Sequence, residues 1–137
     1  MYKKIMVPVD LEHVERLEKA IATAVGIARQ YSIPICFVAV TAETPTRIAH
    51  NPREFAQKLA EFGARQSQDR GVTIETASYP SHDPAVGLDK TLINAADENG
   101  ADLIVIASHV PGLPEHIFAS HGGAVASHAK VSVFVVR

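Results

Sequence analysis

Five short runs of apolar residues recur along the chain, and segments with helical periodicity separate them. Three of the runs are continuous and too short for helices, so they predict buried strands at residues 5–9, 35–40 and 103–106. A fourth, residues 131–136, predicts the last strand. The fifth run, residues 72–79, alternates apolar with polar side chains, which indicates a half-exposed strand near a sheet edge.

The first helix is predicted directly after the first strand. Asp10 lies between the two, where its carboxylate can accept hydrogen bonds from the first free N–H groups of the helix. The same position lets Asp10 contact a ligand above the strand end, and the two roles are compatible. The apolar positions of the helix recur every three or four residues and share one face; they are Val14, Leu17, Ile21, Val25 and Ala28.

The second helix carries signals at both ends. Asn51 can cap it, Pro52 suits its first turn, and Glu54 can complete a capping box. Gly71 is expected to end it, whereas Gly63 weakens its middle by up to about 1 kcal/mol relative to alanine. Its predicted buried stripe consists of Phe55, Leu59 and Phe62.

Two further helices are predicted in the second half of the chain. Residues 81–84 are expected to cap the third helix, which faces inward through Leu88 and Leu92 and stops at Gly100. Ser120 is expected to cap the fourth helix, which runs to about Ala129.

Strands that alternate with helices predict the α/β class. We expect a single domain, residues 1–137, with a five-stranded parallel sheet covered by helices on both faces. In such sheets, ligands bind outside the carboxyl ends of the strands, where the strand order reverses. Asp10, Thr41 and Ser108 all follow strand ends, so we expect them to converge on one crevice.

Residues 103–123 have the order typical of a phosphate-binding segment: a strand, a loop of small residues, and a helix start. Glycine, alanine and serine let the backbone approach a ligand closely, and the unpaired N–H groups of a helix start favour an anion. The segment is neither a Walker loop, since no Gly-Lys-Ser/Thr follows, nor a GxGxxG motif. An ordinary strand-to-helix connection is the open alternative.

Composition narrows the classes of function. The formal charge is −2, from 13 basic and 15 acidic residues without a basic run, which argues against nucleic acid as a partner. The single cysteine, Cys36, lies in an apolar run and is interpreted as a buried, reduced thiol. The sequence has no recognisable signal peptide or membrane span, so we expect a soluble, cytoplasmic protein with no membrane partner.

Candidate catalytic chemistry is sparse. Four of the seven histidines fall in the last quarter of the chain, but no cysteine or paired carboxylate completes a metal set. The pairs Ser108-His109 and Ser120-His121 lack a third orienting group for nucleophilic catalysis. We therefore expect no catalytic residue, no resident metal and at most feeble enzymatic turnover, with His109 touching a ligand instead.

Three stretches together resemble the universal stress protein family. They are Lys4-Ile-Met-Val-Pro-Val-Asp10, then Gly100-Ala-Asp-Leu-Ile-Val-Ile-Ala-Ser-His109, and finally Ala119-Ser120 leading to His128-Ala129 and Val133-Phe-Val-Val-Arg137. The resemblance covers essentially the whole chain, and the order and spacing of the stretches are fairly specific. The loop that begins Ala107-Ser-His-Val-Pro is similar to the F/G-type branch of the family.

The resemblance implies a Rossmann-like fold of the adenine nucleotide alpha hydrolase type, with strand order 3-2-1-4-5. Such proteins commonly form a homodimer through the final strand, here from Val131 to Val136. Many bind ATP at the carboxyl ends of strands one and four, and others bind no nucleotide. The implied ligand is therefore ATP or another adenine nucleotide, with Mg²⁺ as an optional companion.

The resemblance also implies which residues surround the nucleotide. Pro8, Val9 and Asp10 would lie near the adenine and the ribose, and Val40 would flank the base. Ile106 and Ala107 would border the adenosine. His109 would border the ribose or phosphates, and Gly112 would replace a missing glycine from a shifted position. The phosphates would be held by the backbone N–H groups of Ser120, His121 and Gly122 and by the Ser120 hydroxyl.

The family's signature Gly-x2-Gly-x9-Gly-Ser/Thr is altered in this chain. Ala107, Val110 and Ala119 stand in place of the glycines, only Ser120 is retained, and the spacing is one residue short. If these backbones needed a positive φ, each substitution would cost on the order of 1–2 kcal/mol, or roughly tenfold in affinity. Two hypotheses follow: a stress-response regulator that binds an adenine nucleotide, or a homodimeric interaction module of the same family that binds none.

Overall fold

A computed structural model describes residues 1–84, 87–107 and 115–137, with the backbone alone at residues 115–121. The strands are β1 (Ile5–Pro8), β2 (Ile35–Ala42), β3 (Ile74–Ser81), β4 (Leu103–Ala107) and β5 (Ser132–Val136). The helices are α1 (Glu18–Tyr31), α2 (Pro52–Arg70), α3 (Leu88–Glu98) and α4 (Glu115–His128), and a 3₁₀ helix (Leu11–Leu17) precedes α1. Every predicted strand and helix therefore forms, although several boundaries differ.

The strands form one parallel sheet in the order β3-β2-β1-β4-β5, which confirms the predicted fold. β1 lies at its centre and pairs with β2 on one side and with β4 on the other. The strand order reverses at β1, because the chain first moves outward through β2 and β3 and then returns to β4. Such a reversal opens a crevice at the carboxyl edge of the sheet.

Helices cover both faces of the sheet, and side chains of β1 alternate between the two cores. Ile5 and Val7 are buried against α1 and α2, whereas Met6 is buried against α3 and α4. This double burial explains why the central strands are continuous apolar runs rather than alternating ones. Among the described residues, no helix is both long and apolar enough to span a membrane.

Cys36 belongs to the core between the sheet and α3–α4 and is free and buried, as predicted. Burial raises the pKa of its thiol, so the group stays protonated and unreactive at neutral pH. The edge position of β3 and its half-exposed side chains also agree with prediction.

The second helix begins and ends where the sequence indicates. Asn51 Oδ1 accepts a hydrogen bond from the N–H of Glu54 at 2.8 Å, and Gly71 takes the left-handed conformation (φ 67°) at the end of α2. The capping box differs in one bond, because the Glu54 carboxylate accepts from the N–H of His50 rather than from that of Asn51. This bond lowers the pKa of Glu54.

Two predicted helix starts are wrong, and a third is right in position but not in helix type. The first helical segment begins after Asp10 as predicted, but it is a 3₁₀ helix that is interrupted at His13 (φ −136°, ψ 42°), so α1 itself starts at Glu18. α3 starts at Leu88 rather than after residues 81–84, since β3 continues to Ser81 and Gly87 (φ 70°) turns the chain into the helix without a side-chain cap. α4 starts at residue 115, as described below.

The fourth helix begins at Glu115, so Ser120 is its sixth residue and does not cap it. The residues before Ser120 in this helix, from Glu115 to Ala119, include nothing that breaks a helix, and glutamate and alanine favour one. Serine's preference for a cap position does not prevent it from lying inside a helix.

Gly63 marks the closest approach between α2 and β3. A Cβ atom at this position would lie 2.5 Å from Thr76 Cγ2, well inside van der Waals contact. This approach explains a glycine in the middle of a helix that it would otherwise weaken.

We expect Gly63→Ala to lower the free energy of unfolding by about 1–3 kcal/mol, the usual cost of overpacking, in urea denaturation. Gly26→Ala in α1 is the matched control, because nothing lies within 4 Å of an added Cβ there. The control should be neutral or stabilising by up to about 1 kcal/mol. Thr76→Ser removes the opposing methyl group, so Gly63→Ala combined with Thr76→Ser should recover most of the loss. Wild-type stability of Gly63→Ala alone would contradict this packing.

Candidate ligand crevice

A crevice of about 390 Å³ lies at the carboxyl edge of the sheet, above the ends of β1, β2 and β4. Its volume is within the usual range for small-molecule sites. Six of the site residues predicted from the sequence line it together: Pro8, Val9, Asp10, Val40, Ile106 and Ala107. Thr41, predicted to converge on the same place, also lines the crevice.

The crevice combines an apolar interior with a polar entrance. Buried side chains such as Val9, Phe55 and Ile106 form the apolar part. The 3₁₀ helix supplies most of the charged lining, with more exposed residues such as Glu12 and His13. Sites of this composition accept a flat apolar group in the interior and orient it through a few polar contacts.

Asp10 fulfils its predicted structural role at the end of β1. Its Oδ1 accepts a hydrogen bond from the N–H of Glu12 at 2.9 Å, so it caps the 3₁₀ helix. Its Oδ2 lies 2.9 Å from Nδ1 of His13. Both bonds fix the carboxylate at the crevice lining, where the proposed ligand contact is also possible.

Asp10, Glu12 and His13 bring possible metal-ligand atoms within 4.8 Å of one another. The sequence reasoning missed this group, since it weighed the histidines of the last quarter of the chain instead. The spacing Asp-x-Glu-His directly after a strand was the available signal. Carboxylate oxygens suit Mg²⁺, but one Asp10 oxygen and the His13 ring nitrogen are already bonded to each other.

Arg16 is a lining residue that the sequence reasoning also missed. Its side chain is 27% exposed, but its Nη1 is buried and has no hydrogen-bond partner in the described part of the chain. Its Nε lies 3.8 Å from the Glu15 carboxylate, too far for a hydrogen bond. No motif in the sequence marks this arginine, because the fold alone brings it to the crevice.

The residues that stand in place of the family's glycines are unstrained at two of the three positions. Ala107 is the last residue of β4, and Ala119 lies inside α4. Within the described ranges, Ser32 is the non-glycine residue with a positive φ. The expected penalty of 1–2 kcal/mol therefore does not arise at Ala107 or Ala119. Val110 lies outside the described residues, as do Ser108, His109 and Gly112.

The predicted geometry of the phosphate contacts at α4 is wrong. Ser120, His121 and Gly122 are the sixth to eighth residues of a helix that starts at Glu115. Only the first four N–H groups of a helix lack an intrahelical partner, so these three are not free donors at a helix start. The described lining of the crevice does not include Gly122, which is buried in α4.

A doubly covered parallel sheet with an apolar crevice at its strand ends defines a Rossmann-like α/β protein. Residues 1–137 match the universal stress protein family, and the chain belongs to this family. The match confirms the resemblance seen in the sequence.

Relatives with known names cover the chain completely. The chain is 28% identical over 142 residues to universal stress protein G of Shigella flexneri, covering 100% of both proteins. It is 27% identical over 146 residues to universal stress protein G of Salmonella typhimurium, again over 100% of both.

Solved structures show that the fold is shared. A universal stress protein from Archaeoglobus fulgidus superimposes with a TM-score of 0.71 at 21% identity, over 100% of both chains. A universal stress protein in complex with cAMP superimposes with a TM-score of 0.71 at 17% identity, over 99% of this chain and 97% of that one. A family member from Arabidopsis thaliana with AMP bound superimposes with a TM-score of 0.65 at 17% identity, over 98% of this chain and 90% of that one.

We expect Asp10→Ala to lower the free energy of unfolding by about 1 kcal/mol, because the 3₁₀ helix loses its cap. Asp10→Asn keeps an oxygen that can accept from the N–H of Glu12, so it should lose clearly less. Urea denaturation of the two variants measures the difference. An equal loss in both would show that the negative charge, and not the cap, is the stabilising feature.

Proposed function

We propose that this protein is a stress-response regulator that binds an adenine nucleotide in the crevice at the carboxyl ends of β1, β2 and β4. The observation that carries the proposal is the convergence of six predicted contact residues on one largely apolar crevice of about 390 Å³. The cAMP and AMP bound by proteins of the same fold support an adenine nucleotide as the ligand.

The lining suggests how the nucleoside would lie. Val40 and Ile106 flank the base on the strand ends, where their apolar surfaces meet both faces of a flat ring. Pro8 and Val9 border it from the centre of the sheet, and the Asp10 carboxylate accepts a hydrogen bond from a ribose hydroxyl.

The phosphates and any accompanying cation extend this proposal. His109, Gly112 and the Ser120 hydroxyl remain predicted contacts of the ribose or phosphates, whereas the backbone N–H groups of Ser120, His121 and Gly122 do not. For ATP with Mg²⁺, the carboxylates of Asp10 and Glu12 offer the oxygen ligands that this ion prefers. We place the protein in the cytoplasm and expect no turnover beyond weak ATP hydrolysis.

Isothermal titration of nucleotide-free protein with ATP, AMP and ATP–Mg²⁺ tests the function, and we expect micromolar affinity. Ala42→Phe should weaken binding at least tenfold, because Ala42 lines the crevice and is absent from both buried cores. Ala60→Phe, on the exposed side of α2, is the matched control and should bind as wild type does. The absence of heat for wild type at two temperatures would contradict the proposal.

A second function, homodimerisation through β5, is favoured by a separate observation. β5 is the outer strand of the sheet on the α4 side, and Phe134 at its middle is 47% exposed. An outer strand with an exposed aromatic side chain is a surface that a second copy of the chain can cover. The two functions are compatible, since β5 does not line the crevice in the described part of the chain.

Light scattering at micromolar concentration is expected to show a dimer for wild type and a monomer for Phe134→Lys, because a charge interrupts the apolar edge. Ser132→Lys is the control, since Ser132 is already exposed on the same strand. A monomeric wild type, or a dimer that tolerates Phe134→Lys, would count against this interface.

A further inference from the structure

Arg16 has a strong hydrogen-bond donor that is buried and without an acceptor in the described part of the chain. Its side chain lines the crevice, and its Nη1 has no partner among the described residues. A buried donor without an acceptor is costly, and a guanidinium keeps its charge at any relevant pH. Within the described residues, Nη1 therefore lacks the acceptor that a buried donor needs.

The neighbouring acids do not supply that group. The carboxylate of Glu15 reaches only Nε of Arg16, at 3.8 Å, and its side chain is 67% exposed. Asp10 is already bonded to the N–H of Glu12 and to His13. A guanidinium presents donors and no acceptor, so an anionic oxygen of a ligand is the best complement.

We propose that Arg16 is an anion-binding residue of the crevice and that its partly exposed guanidinium donates to a phosphate oxygen of the bound nucleotide. The inference rests on the nucleotide-binding function proposed above. It places a phosphate anchor on the 3₁₀ helix that follows β1. The N–H groups of residues 120–122, inside α4, are not free to provide that anchor.

The test compares AMP with adenosine, which differ by one phosphate. Isothermal titration is carried out on wild type, Arg16→Met and Arg47→Met. Arg16→Met keeps an unbranched apolar stem but removes every donor. Arg47→Met makes the same change in net charge at an exposed position between the lining residues Thr46 and Ile48.

We expect Arg16→Met to weaken AMP binding about ten- to hundredfold, the effect of losing a hydrogen bond to a charged group, and to leave adenosine binding unchanged. Arg47→Met should bind both ligands as wild type does. An equal loss for AMP and adenosine would overturn the inference, because Arg16 would then contact the nucleoside or only shape the crevice. An unchanged affinity for AMP would also overturn it.

A stability measurement separates a binding role from a structural one. The thermal midpoint of ligand-free Arg16→Met should equal or exceed that of wild type, because the variant removes an unpaired buried donor. A clearly lower midpoint would overturn the inference by showing that Arg16 stabilises the fold.

Inorganic phosphate distinguishes failure of this inference from failure of the nucleotide proposal. If wild type binds neither AMP nor adenosine, the nucleotide proposal fails. Arg16 remains an anion site if inorganic phosphate raises the thermal midpoint of wild type and of Arg47→Met but not of Arg16→Met. If phosphate has the same effect on all three proteins, the anion site is overturned as well.

Discussion

The pairing of β1 on both of its edges is the constraint on which the rest of the structure depends. Ile5 pairs with Ile35 of β2 on one side and with Leu103 of β4 on the other. At the start of β1, the Asp102 carboxylate accepts hydrogen bonds from the N–H groups of Lys3 and Lys4, at 3.0–3.2 Å. These bonds hold β1 in register, so its far end emerges between the ends of β2 and β4, where the crevice forms.

The parts of this architecture that depend on local pattern could be predicted from the sequence. Continuous apolar runs predicted the strands, and the places of Asp10 and Thr41 in the crevice followed, because strand-end positions of a parallel sheet meet at one edge. The full set of six crevice residues was implied by the resemblance to the universal stress protein family. The positions of Arg16 and Phe55 in the crevice could not be predicted from local pattern, because only the packing of the 3₁₀ helix and α2 brings these residues there. The start of α3 was missed for a related reason, because Gly87 determines it through its backbone conformation rather than through a side-chain cap.

The altered glycine signature shows how a motif can mislead about conformation. Counting glycines assumes that each is needed for a positive φ, yet Ala107 ends a strand and Ala119 lies in a helix, two conformations that alanine adopts without strain. Conversely, the retained Ser120 is not at the helix start that would make its N–H useful. The motif therefore carries less information about binding in this chain than the shape and composition of the crevice.

The side chain of Arg16 bears on both the stability of the protein and the occupancy of the crevice, because it lines the crevice and its Nη1 has no partner among the described residues. A buried donor without a partner costs about 1–3 kcal/mol, a substantial share of the marginal stability of a small domain. A ligand present at 1,000 times its dissociation constant stabilises the folded state by about 4 kcal/mol, which exceeds this cost. On the proposed function, loss of the nucleotide would therefore lower the stability of the domain while leaving the same fold. Arg16 would be one of the contacts through which the ligand stabilises the folded state.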